Sequence, residues 1–496
     1  MLFTTAAFLL LYLPVTLAGF FLIGRRSPAA AAGWLFLASL FFYAYWMPVF
    51  TLLLLASITG NFLTGRRIVA ALHVQRRPAA KRWLVAGLVF NLGLLAYFKY
   101  ANFFIDNVNA VLGVQWHIGA IVLPIGISFY TFTQIAFLAD SYQGKVNEAN
   151  PVHYGLFVTY FPHLVAGPVL HHAQMMPQFA DRSIYTPRAD RLIGGLSIFA
   201  IGMFKKVVLA DGISPYADAV FRPVDGGALP TTMEAWLGAV AYTLQLYFDF
   251  SGYSDMAVGL SWLFNVRLPF NFDSPYRARN ISDFWRRWHI SLSTFLRDYL
   301  YVPLGGNRLG AVRRYANLSI TMLLGGLWHG ASWSFVIWGG LHGLYLMVNH
   351  GFRALLGDAR RDRLEAVAAY RWASWGLTLL AVVLAWVFFR AETLGGALRM
   401  VQAMLVPAAM GEPVVHALLW DAGLDRRQGW GWCVVLGAVA LFAPNSNRIG
   451  EGVLRALARP SWWRAALAGA VLCALALLLL LNVTRDSVSA FIYFNF

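Results

Sequence analysis

The stretch from Ala29 to Leu63 contains no Asp, Glu, Lys or Arg, and it is too long for a single membrane crossing. A helix rises about 1.5 Å per residue, so about 20 apolar residues span a hydrocarbon layer about 30 Å thick. Pro48 offers a break within the stretch, and we therefore predict two crossings. A chain that contains such a segment is expected to fold in a bilayer.

The composition of the whole chain agrees with that expectation. Hydrophobic residues make up 59% of the 496 residues and charged residues only 12%, whereas soluble globular domains carry about 25% charged residues. This balance excludes a soluble enzyme, a nucleic-acid binder and a disordered protein. The net charge of +16 is then best explained by Arg and Lys held in cytoplasmic loops. Cys433 and Cys473 lie in apolar runs and are interpreted as small buried hydrophobes.

The remaining apolar stretches predict an all-α, polytopic transmembrane helical bundle. The first span, Leu2 to Ile23, precedes Arg25 and Arg26, which places the N-terminus outside. We interpret it as a retained helix rather than a signal peptide. About eleven to thirteen membrane segments are expected in one domain, 1–496. The further spans are predicted at 83–98, 118–139, 192–210 (with Lys205 and Lys206 at its cytoplasmic end), 235–250, two within 316–348, 372–389, 430–443 and 465–481, with 154–170 and 256–266 short or re-entrant.

A basic segment, residues 267–314, is the first candidate site. It contains nine arginines and three aspartates. One interpretation is a cytoplasmic loop that obeys the positive-inside rule. The other is a binding site for a phosphorylated cytosolic ligand, because the guanidinium group matches phosphate geometry.

Within the basic segment, the pattern from Asp283 to Tyr299 predicts one amphipathic helix. Its apolar residues recur at spacings of three and four, namely Trp285, Trp288, Leu292, Phe295 and Tyr299. On this helix His289 falls at the edge of the apolar stripe, beside Arg286 and Ser293. A single histidine at such an edge is more often structural than catalytic.

His329 is harder to explain as a structural residue. No charged residue lies between Arg314 and Arg353, so a helix from Arg314 would place His329 about 22 Å deep. Ionisable side chains at that depth are functional candidates. Trp328 and Trp333 can wall a channel there, although the neighbouring glycines equally suit close helix packing. His342, 13 residues on, would not share a helix face with His329.

Two further polar clusters occur in apolar surroundings. Asp249 and Asp255 could form ion pairs with nearby arginines or bind a cation, and ion pairing is the favoured interpretation. His163, His171 and His172 follow a broken backbone, but their spacing matches no standard metal site, and we predict no bound metal. Standard nucleotide, hydrolase and metalloprotease motifs do not occur in the chain.

Several segments together resemble the membrane-bound O-acyltransferases and follow that family's order. They are Leu123–Phe132, Phe161–Pro168, Asp249–Asp255, Asn280-Ile-Ser-Asp-Phe-Trp-Arg-Arg-Trp-His289, Gly326-Leu-Trp-His329-Gly and Trp386–Glu392. The likeness is to the bacterial branch that includes the alginate O-acetylation and teichoic-acid D-alanylation membrane proteins. It implies a helical bundle around a tunnel, with His329 as the principal catalytic residue and His289 as the second.

The resemblance implies an O-acyltransferase of the bacterial inner membrane that uses acetyl-CoA as donor substrate and has no bound cofactor. The acceptor would be an exported polysaccharide such as alginate, reached directly or through a periplasmic acetyltransferase partner. We expect Arg286, Arg287, Ser293, Arg297, Trp328 and Trp333 to bind substrate. The alternatives are transfer of D-alanine or another acyl group to an envelope polymer, and non-catalytic transport of a polysaccharide precursor.

Overall fold

The computed structural model describes residues 1–146, 150–165, 167–406, 418–457, 463–484 and 491–492. These ranges contain helices, turns and irregular segments and no strand, which confirms the predicted all-α class. The α-helices in chain order are α1 Leu13–Gly24, α2 Pro28–Ala44, α3 Pro48–His73, α4 Arg77–Leu95, α5 Ala101–Leu112, α6 Ile127–Tyr142, α7 Pro151–Thr159, α8 His172–Ala180, α9 Ala189–Phe204, α10 Asp211–Asp225, α11 Thr232–Leu263, α12 Ile281–Arg287, α13 Ile290–Leu296, α14 Gly310–His329, α15 Trp333–Ala366, α16 Ala368–Arg390, α17 Leu394–Leu405, α18 Leu418–Asp421, α19 Arg426–Phe442, α20 Ser446–Leu457 and α21 Trp463–Val483.

Six helical stretches of the described chain are long and apolar enough to cross a membrane. The bent pair α19–α20 could add a seventh, and α2 is a shorter apolar helix. The protein is therefore a multi-pass membrane protein, whereas the total of eleven to thirteen segments stays a prediction. The six stretches are Ala7–Gly24, Pro48–His73, Arg77–Leu112, Ala189–Asp225, Ala368–Arg390 and Trp463–Val483.

Helix starts follow local signals in the sequence. Pro48 begins α3 after α2 has ended at Ala44, so the predicted break between the first two crossings of that stretch is correct. Proline suits the first turn of a helix, because its missing N–H would have had no partner there. Ser27 caps α2 by accepting a hydrogen bond from the backbone of Ala30.

The described residues cluster into two compact units. Unit 1 comprises the described residues within Met1–Met203, Tyr253–Phe270 and Ser446–Asn495, and unit 2 comprises those within Phe204–Gly252 and Asn271–Asn445. In unit 1, α3, α4 and α6 pack against one another. In unit 2, the α14–α15 hairpin packs against α12 and α16. The assignment of one domain to 1–496 stays a prediction.

The structure changes three of the predicted boundaries. The helix expected at 118–139 begins only at Ile127, and α11 continues the predicted 235–250 span to Leu263. Lys206 does not lie at the end of a helical stretch, because the chain stays helical from Ala189 to Asp225. It lies in a π-helical turn that connects α9 to α10, and its side chain is buried. Its ammonium group bonds Asp211 at 2.9 Å and Asp249 at 2.7 Å, and this pairing makes the interior position tolerable.

Candidate active site

His329 is the last residue of α14, and its side chain is 4% exposed. Three aromatic rings stand edge-on to the imidazole: Trp328 at 4.9 Å, Trp338 at 5.1 Å and Phe389 at 5.1 Å between ring centroids. The predicted position of His329 deep in an apolar region is consistent with this aromatic setting. Such walls shield the imidazole from water.

Glycines bring the two helices of this hairpin together. A Cβ atom on Gly326 would collide with the backbone of Phe335, and one on Gly339 with the backbone of Met322. The packing through small residues that the sequence allowed is thus present in the same segment as the aromatic wall. It positions Trp338 of α15 against His329 of α14.

His289 does not lie on a continuous helix, so the prediction of one amphipathic helix from 283 to 299 is wrong. Helix α12 ends at Arg287 and α13 begins at Ile290. At the break His289 has a φ of 44°, a left-handed conformation that is uncommon for a residue with a side chain. The ring is 1% exposed rather than at the edge of an apolar stripe. Strained backbone of this kind concentrates at functional sites.

Asn271 explains the break and orients the histidine. Its Oδ1 accepts hydrogen bonds from the backbone N–H and the hydroxyl of Ser291, at 3.1 and 2.9 Å. The same oxygen lies 3.2 Å from Nδ1 of His289. Because that oxygen only accepts hydrogen bonds, Nδ1 carries the proton in the neutral ring, and Nε2 is the nitrogen that can accept one.

Trp328 connects the two histidines. Its ring lies 6.2 Å from that of His289 and 4.9 Å from that of His329. On its other side, His289 stands edge-on to Phe250, at 4.7 Å. Two histidines 40 residues apart in sequence thus contact the same tryptophan, and their catalytic roles stay predictions.

His342 belongs to the same aromatic cluster, which the sequence did not predict. Trp338 contacts both His342, at 4.8 Å, and His329, at 5.1 Å. The prediction that His342 and His329 lie on different faces assumed one continuous helix. In the structure the chain leaves α14 at Gly330 and starts α15 at Trp333, so the two histidines lie on different helices. The indole N–H of Trp285 donates to Nδ1 of His342 at 3.3 Å. His342 in turn packs against Trp338, the ring that contacts His329.

The arginines predicted to bind substrate differ in their surroundings. Arg287 is paired with Asp283 at 2.9 Å. Arg297 is paired with the adjacent Asp298 at 2.7 Å, and the hydrogen bond raises the pKa of the guanidinium group. Arg286 is exposed. Arg286 is therefore better suited to a phosphate than the two arginines that already have carboxylate partners.

Three arginines act electrostatically on His350, which lies midway along α15. Burial lowers the pKa of His350, and the positive charges of Arg314, Arg353 and Arg286 lower it further. Two of these arginines, Arg314 and Arg286, belong to the basic segment 267–314. The positive charge near His350 therefore comes from two separate parts of the chain, the basic segment and α15.

The remaining predicted residues lie in other settings. Trp333 is 53% exposed at the start of α15, and the hydroxyl of Ser293 donates to the backbone of Trp288 at 3.4 Å. Asp249 forms the expected ion pair, with Lys206 rather than an arginine. In unit 1, Nδ1 of His172 lies 2.8 Å from Asp140.

Asn271, Phe250, Trp338 and Phe389 complete the site, and sequence reasoning missed the contribution of each. Phe389 lies within the segment Trp386–Glu392 that carried part of the resemblance. That was a usable signal. An isolated amide in the aromatic run Pro269–Asp273 was the signal for Asn271.

Comparison with known proteins identifies the family. The model of the membrane-bound O-acyltransferase family matches residues 141–385, a range that contains both histidines. A peptidoglycan O-acetyltransferase of Helicobacter pylori is 36% identical, and the alignment covers 100% of this chain and 98% of that protein. The chain belongs to the membrane-bound O-acyltransferase family.

Relatives differ in what their names say they modify. A probable alginate O-acetylase of Azotobacter vinelandii is 47% identical over 82% of this chain and 78% of its own length. A teichoic acid D-alanyltransferase of Bacillus subtilis is 27% identical over 53% of this chain and 66% of its own length. Membership of the family identifies the protein as an O-acyltransferase and disfavours the alternative of a non-catalytic transporter.

Proposed function

We propose that the protein transfers an acetyl group from cytosolic acetyl-CoA to an exported polysaccharide such as alginate, directly or through a periplasmic acetyltransferase. It would do so from the inner membrane of a bacterium. The single observation that carries the proposal is the buried pair His329 and His289, whose rings both contact Trp328. The acetyl group is favoured by the names of relatives that are 36% and 47% identical, and alginate by the name of the second of them.

The chemistry follows from a neutral imidazole in an aromatic pocket. His329 removes the proton from an acceptor hydroxyl, and the oxygen attacks the thioester carbonyl carbon. The C–S bond breaks, the CoA thiolate leaves, and the imidazolium returns its proton to the thiolate. In an alternative route the imidazole itself takes the acetyl group and then passes it to the acceptor.

His289 is suited to orient a reactant or to move a proton. Asn271 fixes its Nδ1 as the protonated nitrogen, so Nε2 can accept a hydrogen bond from an acceptor hydroxyl. On the cytoplasmic side, Arg286, Arg314 and Arg353, whose charges all act on His350, supply guanidinium groups for the CoA phosphates.

The test is release of free CoA from acetyl-CoA by the purified protein in detergent, with alginate oligosaccharides present and absent. Replacing a general base costs about 10²- to 10⁴-fold in rate, so we expect His329→Ala to lose turnover by that factor. His117→Ala, at an exposed histidine, is the matched control and should keep wild-type turnover. Equal turnover in the wild type and His329→Ala would remove His329 from the mechanism. Turnover only with a D-alanyl carrier donor would replace acetyl-CoA as the substrate.

A further inference from the structure

Three arginines surround a cavity of about 320 Å³ in unit 2. Arg277 and Arg279 come from the turn before α12, and Arg371 comes from the first turn of α16. In the part of the chain that the structure describes, no carboxylate lies within ion-pair distance of these three guanidinium groups. The lining of the cavity thus carries three positive charges and no negative one, which suits an anion.

The other side of the same cavity is apolar and open. Its lining includes Trp372, 65% exposed, and Phe442, 76% exposed, together with Trp375 and Leu441. Exposed aromatic and aliphatic side chains in a membrane protein face lipid. A soluble phosphate compound gains no contact from such an apolar rim, whereas the acyl chains of an amphiphile pack against it.

Exposed apolar side chains continue away from the cavity along two helices. On α16 they are Leu377 and Leu380, and on α19 they are Val435 and Val439. Val435, Val439 and Phe442 recur at spacings of four and three, so they share one face of α19. Acyl chains anchored at the cavity would follow these faces into the hydrocarbon layer.

The cavity lies on the cytoplasmic side by the charge rule. Arg371 ends the tract from Arg353 that carries most of the positive charge in this part of the chain, and such tracts stay inside. The indole N–H of Trp375 donates to the backbone of Tyr276 at 2.9 Å, and Arg277 donates to the backbone of Ala443. These two bonds connect the three elements that form the cavity, so the site is preformed.

We propose that this cavity binds an anionic phospholipid of the inner leaflet, with the phosphate against Arg277, Arg279 and Arg371 and the acyl chains along α16 and α19. The site is separate from the histidine pair and does not depend on the acyl donor. Basic pockets between membrane helices recognise lipid headgroups in this way. The proposal also reassigns Arg277 and Arg279, two of the nine arginines of the basic segment, from a donor phosphate to a lipid.

The test is lipid-dependent stabilisation of the full chain in detergent. The thermal unfolding midpoint is measured against added phosphatidylglycerol or phosphatidylcholine, and lipids retained on the protein are counted by native mass spectrometry. We expect phosphatidylglycerol alone to raise the midpoint of the wild type. The double variant Arg279→Gln, Arg371→Gln should bind it about 30-fold more weakly, because each arginine near the surface contributes about a fivefold factor.

The matched control removes the same charge at the other end of α19. Arg426→Gln, Arg427→Gln replaces two exposed arginines and should respond to phosphatidylglycerol like the wild type. Arg279→Gln alone, at an exposed arginine, serves if the double variant does not fold, and an approximately fivefold loss is expected.

Three results would overturn the proposal. The first is equal affinity for phosphatidylglycerol in the wild type and the arginine variants. The second is an equal response to phosphatidylcholine. The third is stabilisation through the same arginines by glycerol 1-phosphate or free CoA as strong as that by the lipid, which would make the cavity a site for a soluble phosphate.

Discussion

Two regions of the protein bury polar side chains among apolar helices, and they do so in different ways. In unit 1, Asn61 and Asn91 exchange hydrogen bonds at 3.2 and 2.6 Å, and Asn61 also donates to Gln134. In unit 2, the aromatic rings of Trp328, Trp338 and Phe389 surround His329. Amides that bond one another stabilise a helix interface, whereas the aromatic rings around His329 shield its imidazole from water.

The hydroxyl of Ser57 also donates to Gln134, at 3.2 Å. These four side chains, Ser57, Asn61, Asn91 and Gln134, are called the amide cluster below. The cluster therefore joins α3, α4 and α6 through side chains alone. In the histidine site the amide of Asn271 has a different role. It holds a single ring nitrogen of His289 and the start of α13. One group of polar side chains therefore holds helices together, whereas Asn271 orients a histidine.

Among the variants that test this contrast, Asn271→Ala is expected to have the largest effect, a loss in the rate of CoA release. Without the amide oxygen His289 loses the contact that orients its ring, and a small displacement of a reacting group costs about 10²-fold in rate. CoA release per folded molecule measures the loss. Asn271→Asp retains an acceptor oxygen and should recover part of it.

Ser291→Ala is the matched control for that variant. It deletes the hydroxyl bond to Asn271 but leaves both the backbone bond and the His289 contact in place. Turnover close to the wild type is expected. If Ser291→Ala and Asn271→Ala lose the same activity, Asn271 acts by capping α13 and not by orienting His289.

An intermediate effect, on stability and not on rate, is expected from Asn61→Ala. The variant removes the hydrogen bonds that Asn61 makes with the buried side chains of Asn91 and Gln134. A buried polar group left without its hydrogen bond lowers the free energy of unfolding by about 1–3 kcal/mol. The thermal unfolding midpoint should fall, while CoA release per folded molecule stays within about twofold. Loss of turnover without loss of stability would contradict the structural role of the amide cluster.

The smallest effect on stability is expected from Arg297→Gln. Arg297 is 61% exposed, and exposed ion pairs such as that with Asp298 contribute about 0–1 kcal/mol. Unfolding curves should therefore nearly superimpose on those of the wild type. Because Asp298 already engages Arg297, the KM for acetyl-CoA should rise less than in Arg286→Gln. A larger rise in KM for Arg297→Gln than for Arg286→Gln would show that Arg297 contributes to donor binding.

Much of the fold was predictable because the bilayer imposes a simple requirement on local sequence. Runs of apolar residues such as Ala29–Leu63 predicted helices, and the proline at position 48 predicted where one ends. The boundaries at Ile127 and Leu263 were not predictable from apolar runs. The 118–126 segment is apolar without being helical, and α11 continues through the polar Asp249–Asp255 motif.

The candidate site was predictable in its members more than in its geometry. The depth of His329 and the order of the family segments singled out both histidines, whose catalytic roles stay predictions. The break at His289 depends on Asn271, which lies 18 residues earlier in the chain, and no local period records such a contact. The position of His342 was predicted wrongly for the same reason. A turn of three residues between α14 and α15 changes the direction of the chain before His342.

The sequence by itself determined that this chain is a multi-pass membrane protein with two histidine segments of an O-acyltransferase, because composition and short motifs are local properties. Only the tertiary structure decided that Trp328 lies against both histidines, that Asn271 sets the protonated nitrogen of His289, and that Lys206 is neutralised by two aspartates. Each of these depends on contacts between residues distant in sequence or on the turn geometry between helices, which folding alone brings together.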